Sequence, residues 1–485
     1  MASVSSPRAH APTVRLVAVD FGVRAMTLRL PFRFGAVTLT RCPQLFVRAT
    51  VDCGALGTHT GWAAEMMVPR WFDKRTGPTQ ADNVRDLQAA VEAAAGAYLG
   101  DAPATAFGLF ARHYPALMAQ GSQTGRTALS TAFGQAVLDR AVLDALCRAA
   151  DASVYAAFQR NLVGLNDSAV AADLRGWDWN AWLATLAPAT HIDARHTVGM
   201  LDALEGDATD ANGLPVSLPA VVKRYGHRFF KIKLGGDPEA DLVRLRAVLG
   251  VLDALQPGHR FSLDGNEQYA DPAALRALCQ GLRRLPALAA RPGALLYIEQ
   301  PVPRDASLVP ALATLDAPAP LLLDEADGTL DAFPAARAHG WHGVSSKACK
   351  GLYKAVLNRA RCDQWNAEAP AQGARYFMSA EDLTCQAGLA VQQDLSLAAL
   401  LGLAHAERNG HHYVEGFGDA PAEESAAFAA AHADLYDSAA GRPRLAIREG
   451  RIAIGSLDRP GFAHSADPDF DSLRPLGDAA STVPA

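Results

Sequence analysis

Eight short strings rich in apolar and β-forming residues punctuate positions 191–417: HIDARHTVG (191–199), FFKIKLG (229–235), RFSLDGN (260–266), LLYIEQP (295–301), LLLDEAD (321–327), GVSSKAC (343–349), YFMSAED (376–382) and HHYVEGF (411–417). Most are separated by Ala/Leu/Arg-rich stretches of helical texture. Two of these, DPEADLVRLRAVLGVLDAL and DPAALRALCQGLRRL, open on Asp-Pro, an N-cap followed by a first-turn proline. Strand and helix alternating in this way predict an α/β chain with a parallel sheet. Periodicity alone does not separate an open sheet from a closed one; the count of eight predicts a (β/α)8-type barrel.

Outside this region the texture changes. VRLVAVDFGVRAMTLRL and QLFVRATVD read as antiparallel strands, TALSTAFGQAVLDRAVLDALCRAA as an amphipathic helix, and the late RPRLAIREGRIAIGS as a hairpin turning at Glu-Gly. The expected organisation is an N-terminal α+β capping domain over 1–188, a catalytic barrel over 189–420, and a C-terminal segment, 421–485, returning to the cap. Residues 102–125 and 165–185 read as additions without chemistry of their own. The last twenty or so residues, rich in Asp, Pro and Ser, are expected to be loosely held.

The barrel assignment gives the strand ends a meaning, because side chains there face the active site. Reading along those ends gives Lys231 and Lys233, Asp264, Glu299, Asp324 with Glu325, Lys347, then Glu381 with Asp382. Asp264, Glu299 and Asp324 stand one βα unit apart, so they converge from neighbouring strands. A lone strand-end acid is ordinarily a helix cap or a surface ion pair. Three convergent acids repel unless a cation neutralises them, and oxygen-only ligation suits Mg2+, or Mn2+, better than zinc.

Lysine usage sharpens this reading: only seven of the 45 basic residues are lysine, and six of those lie in two short segments around 223–233 and 347–354. Arginine does not give up its proton, whereas a partly buried lysine is tunable as a base. Lys231/Lys233 and Lys347 flank the acidic trio, an arrangement suited to removing a proton next to a metal-bound substrate carboxylate. Lys350 and Lys354 read as a solvated helix face, and His411 and His412 as either pocket lining or structure. PFRFG (31–35) and GALGTHTGW (54–62) are the candidate lid loops, with Arg33, His59 and Trp62 placed to meet a polar substrate.

Taken together, KIK, DGN, IEQP, LDEAD and SKACKG on successive strands resemble the enolase superfamily, in particular its mandelate racemase and muconate lactonizing enzyme group. LPFRFGAVTLTRCPQLFVRA, GWAAEMMVPRWFDK and LAIREGRIAIGSLDRPGF are similar to that group's capping domain. The resemblance implies magnesium ligands at Asp264, Glu299 and Asp324, and acid/base lysines at Lys233 and Lys347. It also implies a substrate-carboxylate contact at Lys231 and supporting roles at Asn266 and Glu325, with Glu325 orienting Lys347. FMSAEDL stands where the mandelate racemase branch places a catalytic histidine. KACKGLYK lacks the glycine pair that often follows the strand-six lysine in the muconate branch.

The implied activity is magnesium-dependent α-proton abstraction from a small-molecule carboxylate through a metal-stabilised enediolate. Its outcome is racemisation or epimerisation, dehydration, or cycloisomerisation. The alternatives are a catalytically inactive metal-binding scaffold of the same fold, or another metal-dependent barrel lyase. A formal charge of −6, a pI near 6.2 and the lack of a basic tract argue against nucleic acid. No apolar stretch is long enough for a bilayer, and no signal core opens the chain. Seven scattered cysteines without a CxxC pair fit a reducing compartment. A cytoplasmic homo-oligomer is the expectation.

Overall fold

The computed structural model describes residues 11–370, 375–383, 385–439 and 441–483. The N-terminal region opens with three antiparallel strands, β1 (Arg15–Phe34), β2 (Val37–Asp52) and β3 (Thr58–Met66). β1 and β2 pair from Arg15↔Asp52 to Phe34↔Val37, and a register shift between Thr27 and Phe32 lets the tip of this long hairpin bend. Three helices follow: α1 (Gln80–Tyr98), α2 (Ala106–Gln123) and α3 (Ala128–Ala149). Thr79 and Asp82 form a capping box that fixes the start of α1. α3 is buried along nearly its whole length and packs on β3, where a Cβ at Gly61 would stand 2.1 Å from the carbonyl oxygen of Ala141. Only glycine permits that approach.

The barrel is closed. β4 (His191–Val198), β5 (Phe229–Lys233), β6 (Arg260–Asp264), β7 (Leu295–Glu299), β8 (Leu321–Leu323), β9 (Trp341–Ser346), β10 (Phe377–Ala380) and β11 (His405–Arg408) pair in sequence order, all parallel. β11 returns to β4 through His405↔Asp193 to Arg408↔His196. Closure removes the exposed edges an open sheet would carry. The fold is a (β/α)8 barrel with a capping domain.

Three sequence expectations are corrected here. The eighth strand is HAER at 405–408, not HHYVEGF, whose first residues instead form the helical turn Gly410–Tyr413. The Glu449-Gly450 turn is present with positive φ at both residues, but its flanks meet only at the Arg448↔Arg451 bridge. Arg451–Ala453 pairs with β4 instead, where a longer ladder is available. The tail is packed, not loose: Arg474–Pro475 adds to the edge of β1. Phe470 sits under the Arg48 guanidinium at 4.2 Å and beside Trp62, and Leu476 and Ala479 are buried. Apolar residues spaced among the Asp and Pro give this segment its anchor. The additions also have structural work: Arg361 pairs with Asp173 at 2.7 Å, and Trp182 donates to Asp363 at 2.9 Å, so 165–185 lies along the helix Leu352–Glu368. Among the described residues no helix is long and apolar enough to cross a membrane.

A buried arginine of the cap, ion-paired within the cap, also bonds the barrel. Arg140 of α3 contacts Glu65 of β3 at 2.8 Å and Gln393 of the barrel helix Leu389–Leu400 at 3.2 Å. Burial pushes the Glu65 carboxyl up to about 7 despite Arg140. Arg140→Leu is expected to destabilise the chain by about 3 kcal/mol, the lower end for a broken buried pair because Glu65 can take a proton. Glu65 contributes stability fully below its ordinary value, and that contribution is lost as pH rises through about 7. Glu65→Gln should therefore flatten the pH dependence of the urea midpoint between about 4.5 and 7; an unchanged profile would count against this assignment.

Candidate active site at the barrel mouth

Register places the chemistry. Lys233, Asp264 and Glu299 are direct neighbours on β5, β6 and β7. Asp324 follows β8, Lys347 follows β9, Glu381 follows β10, and Glu407 lies on β11. The chain turns sharply after β6 and β7, with positive φ at Asn266, Glu267 and Gln300, a conformation that residues other than glycine seldom adopt. Asn266 N donates to Asp264 Oδ1 at 2.9 Å, which holds that carboxylate in place.

The glycines of FKIKLGG serve this end of the barrel. Gly235 and Gly236 donate their N–H groups to Asp241, and Gly236 has φ +93 with the Gln268 carbonyl 2.7 Å from where a Cβ would sit.

All three carboxylates of the trio are fully buried, and each is met by a lysine. Lys233 donates to Asp264 Oδ2 at 2.5 Å, Lys347 to Asp324 Oδ2 at 2.5 Å, and Lys231 to Glu299 Oε1 at 2.8 Å. Burial by itself would raise the Asp264 carboxyl, but Lys231 and Lys233 hold it below its usual range. Asp324 is likewise lowered, by Lys347 and Lys350 against burial. Burial favours a neutral amine at Lys347, yet Asp324 outweighs it and keeps Lys347 protonated. Glu299 goes the other way: burial, with Asp264 and Glu381 beside it, pushes its carboxyl well above its ordinary value. Its Oε2 has no hydrogen-bond partner among the described residues. An oxygen-only donor set with an unpartnered buried oxygen at its centre fits a hard divalent cation.

The structure brings most of the sequence-derived residues together but redistributes their roles. Lys231, expected to hold a substrate carboxylate, uses its three N–H donors on Glu299, Glu381 and Glu407 at 2.8–3.0 Å, with Asp264 also at 3.0 Å. It is the buried counter-ion of the acidic ring. Glu325 does not touch Lys347; its Oε1 accepts from Asn266 Nδ2 at 3.1 Å and from Lys74 Nζ at 2.8 Å. Arg33 is exposed, because strand alternation sends it to the face opposite Phe32 and Phe34. His59 and Trp62 lie away from the mouth: His59 bonds the Leu56 carbonyl, and Trp62 packs on Phe470. Of the two candidate lid loops, PFRFG reaches the cavity between the lysines through Phe32 and Phe34, and Trp71, from the segment after β3, covers Lys347 at 4.4 Å.

Lys350 and Lys354 are buried rather than solvated. Both pair with Asp327, at 2.8 and 3.0 Å, and Lys350 also donates to Ser345. Burial outweighs Asp327 and lowers Lys354 to about 8. Glu407 escaped the sequence reading because the eighth strand was placed six residues late. Lys231, Lys233 and Lys347 hold its carboxylate well below the usual range against burial.

A cavity of about 20 Å3 lies between the lysines, bounded by Phe32, Phe34, Trp71, Asn266 and Asn409. A larger one, of about 550 Å3, opens on the other side of Glu325 and is lined by Lys74, Arg75, Glu267 and Arg304.

A family model described as enolase C-terminal domain-like, the C-terminal domain of the mandelate racemase/muconate lactonizing enzyme group, matches residues 216–469, just over half of the chain. The chain belongs to this family. Likeness of fold extends over nearly the whole chain in the solved structures it resembles. An enolase from Streptomyces coelicolor is 18% identical with a TM-score of 0.59, covering 96% of this chain and 97% of that one. An enolase from Bradyrhizobium, crystallised with magnesium and mandelic acid, is 20% identical with a TM-score of 0.57, covering 94% and 96%. A muconate lactonizing enzyme from Pseudomonas fluorescens, complexed with muconolactone, is 16% identical with a TM-score of 0.58, covering 94% and 98%. At these identities the likeness is one of fold. No curated protein sequence matches the chain.

Proposed function

We propose that this enolase-family protein removes the α-proton of a small carboxylate substrate, with Lys233 and Lys347 as the two proton-transfer groups. The observation that carries this reading is the placement of those lysines on either side of three buried strand-end carboxylates, each lysine in contact with the carboxylate nearest it. A magnesium or manganese ion held by Asp264, Glu299 and Asp324 would supply charge stabilisation to the substrate carboxylate. The Bradyrhizobium enolase, with magnesium and mandelic acid bound, supports that class of ligand.

Paired with Asp324, Lys347 starts charged and is poised to deliver a proton; it accepts one only when that carboxylate is otherwise engaged. Lys233, paired with Asp264, has the Phe32 ring 5.8 Å from its amine, so an apolar wall stands beside the proton-transfer group. Two lysines of equal reach favour the two-lysine, muconate-type arrangement and exchange of the proton between faces, hence racemisation or epimerisation. Dehydration and cycloisomerisation share the first step, and product analysis separates them. Glu381, engaged by Arg195, Tyr297 and Lys231, occupies the strand-seven end with a structural role.

The cavity between the lysines holds about one water, so substrate enters with the Val68–Trp71 segment displaced. Phe34→Ala is expected to widen the pocket and shift substrate preference toward bulkier acids by about tenfold in kcat/KM, about one to two methylenes' worth of discrimination. Arg33→Ala should leave the preference unchanged.

The deciding experiment is proton exchange. The chain, magnesium and a panel of acid sugars, N-acylated amino acids and dipeptides are incubated in deuterated water and read by NMR. Magnesium-dependent deuteration at the α-carbon supports the reading. Ligand binding without exchange across the panel would place the chain among non-catalytic scaffolds.

A further inference from the structure

We propose that the barrel's closing seam carries a second, structural metal site, in which His196, His227 and His411 hold a transition-metal ion of zinc type. The ligand atoms of these three side chains lie within 4.8 Å of one another. They come from β4, from the approach to β5, and from the turn after β11, the three elements that meet where the barrel closes. Along β4, Arg195 and Thr197 reach inward to Glu381 and Glu407, so His196 between them points outward, away from the lysine site.

The geometry is that of ligands around one centre. Ring centres are separated by 5.2 Å for His196–His227, 5.4 Å for His196–His411 and 5.0 Å for His227–His411. Three imidazoles bound to a tetrahedral ion at about 2.0–2.1 Å place their nitrogens about 3.4 Å apart and their ring centres about 5 Å apart. The Nε2 atoms of His227 and His411 stand at 3.2 Å. His227 Nδ1 lies 3.1 Å from the Ala194 carbonyl, the bond that fixes a ligating histidine's tautomer and turns its other nitrogen toward the metal. His196 Nδ1 is buried with no hydrogen-bond partner among the described residues, a deficit for a polar group in this setting.

Burial keeps all three rings neutral at pH 7, the form that binds metal. A cavity of about 20 Å3, room for about one water, adjoins His411 and is bounded by Tyr225, Cys385 and Gly410. Imidazole donors select zinc or a neighbouring transition metal over magnesium, which separates this site chemically from the carboxylates.

A second set, His196, Asp202 and His412, is equally compact. There, however, the Asp202 carboxylate already accepts from Tyr413 at 2.8–2.9 Å and from Gly199 N at 2.8 Å. With those partners Asp202 is not needed as a ligand. Bound metal would pin Gly410–Tyr413, whose Tyr413 ring packs on Phe32 of the substrate pocket at 4.4 Å.

The test uses the full chain, stripped with chelator and titrated with cobalt(II) in saturating magnesium. Expected is one tightly held cobalt per chain with the strong visible bands of four-coordinate nitrogen ligation, displaced by zinc. His227→Asn and His411→Asn should lose those bands, and His412→Asn should keep them. The proposal is overturned if wild-type protein binds no cobalt under magnesium, if its spectrum is the weak one of a six-coordinate ion, or if folded His227→Asn retains the bands. Should both ligand variants fail to fold, the wild-type spectrum under magnesium decides alone.

Discussion

Lys347→Arg and Lys233→Arg are each expected to lower the rate of α-proton exchange by roughly 10²–10⁴-fold while leaving divalent-metal binding within a few-fold of wild type. The guanidinium keeps the positive charge that each buried carboxylate requires, Asp324 for Lys347 and Asp264 for Lys233, so the electrostatic frame survives. What disappears is the ability to give up a proton, which arginine lacks in a protein. Exchange at the α-carbon, followed separately for each substrate enantiomer, reads the two lysines one face at a time. Lys231→Arg serves as the contrast. Its ammonium lies among four carboxylates at 2.8–3.0 Å in a space shaped for a point charge, so the larger group should reduce stability rather than selectively remove one face's exchange. Equal and small kinetic effects at Lys233 and Lys347 would remove both from the mechanism.

The second large effect concerns the acids, and here the three members of the trio should part company. Asp264→Asn, Glu299→Gln and Asp324→Asn are all expected to abolish magnesium binding, read by calorimetric titration, together with turnover. Their effects on stability without metal should differ in sign of demand. Asp264 and Asp324 are stabilised as anions by lysines, and neutralising either leaves a buried ammonium without its partner, at about 3–5 kcal/mol. Glu299 is crowded by burial, Asp264 and Glu381, so Glu299→Gln relieves repulsion and should be near neutral in a urea melt. A Glu299→Gln chain as unstable as Asp324→Asn would mean that Lys231 depends on Glu299 more than on Glu381 and Glu407.

Much of the site was readable because one repeat unit delivers one strand end. Lys233, Asp264, Glu299, Asp324 and Lys347 each close an apolar string, and a parallel barrel sends such ends to one mouth whatever the helices between them contain. Glu407 was missed because its strand is four residues long and mostly polar, HAER, beside a more strand-like HHYVEGF that folds as a turn. Arg33 was misassigned by one residue of parity: in β1 the alternation gives the pocket Phe32 and Phe34 and gives solvent the residue between them.

Other features had no local signal at all. Lys350 and Lys354 look like a solvated helix face until Asp327, from the loop after β8, and the packing of the preceding turn against α3 bury them. His196, His227 and His411 sit far apart in the chain, and only barrel closure brings their rings to about 5 Å. The sequence by itself determined the barrel class and, for the second to sixth strands, the order of the strand ends and the chemical types they present, because those follow from local periodicity and a fixed topology. Tertiary structure alone decided which charges pair and which aromatic side chains wall the cavity between the lysines, because burial and Coulomb interaction depend on distances between segments that no local pattern encodes.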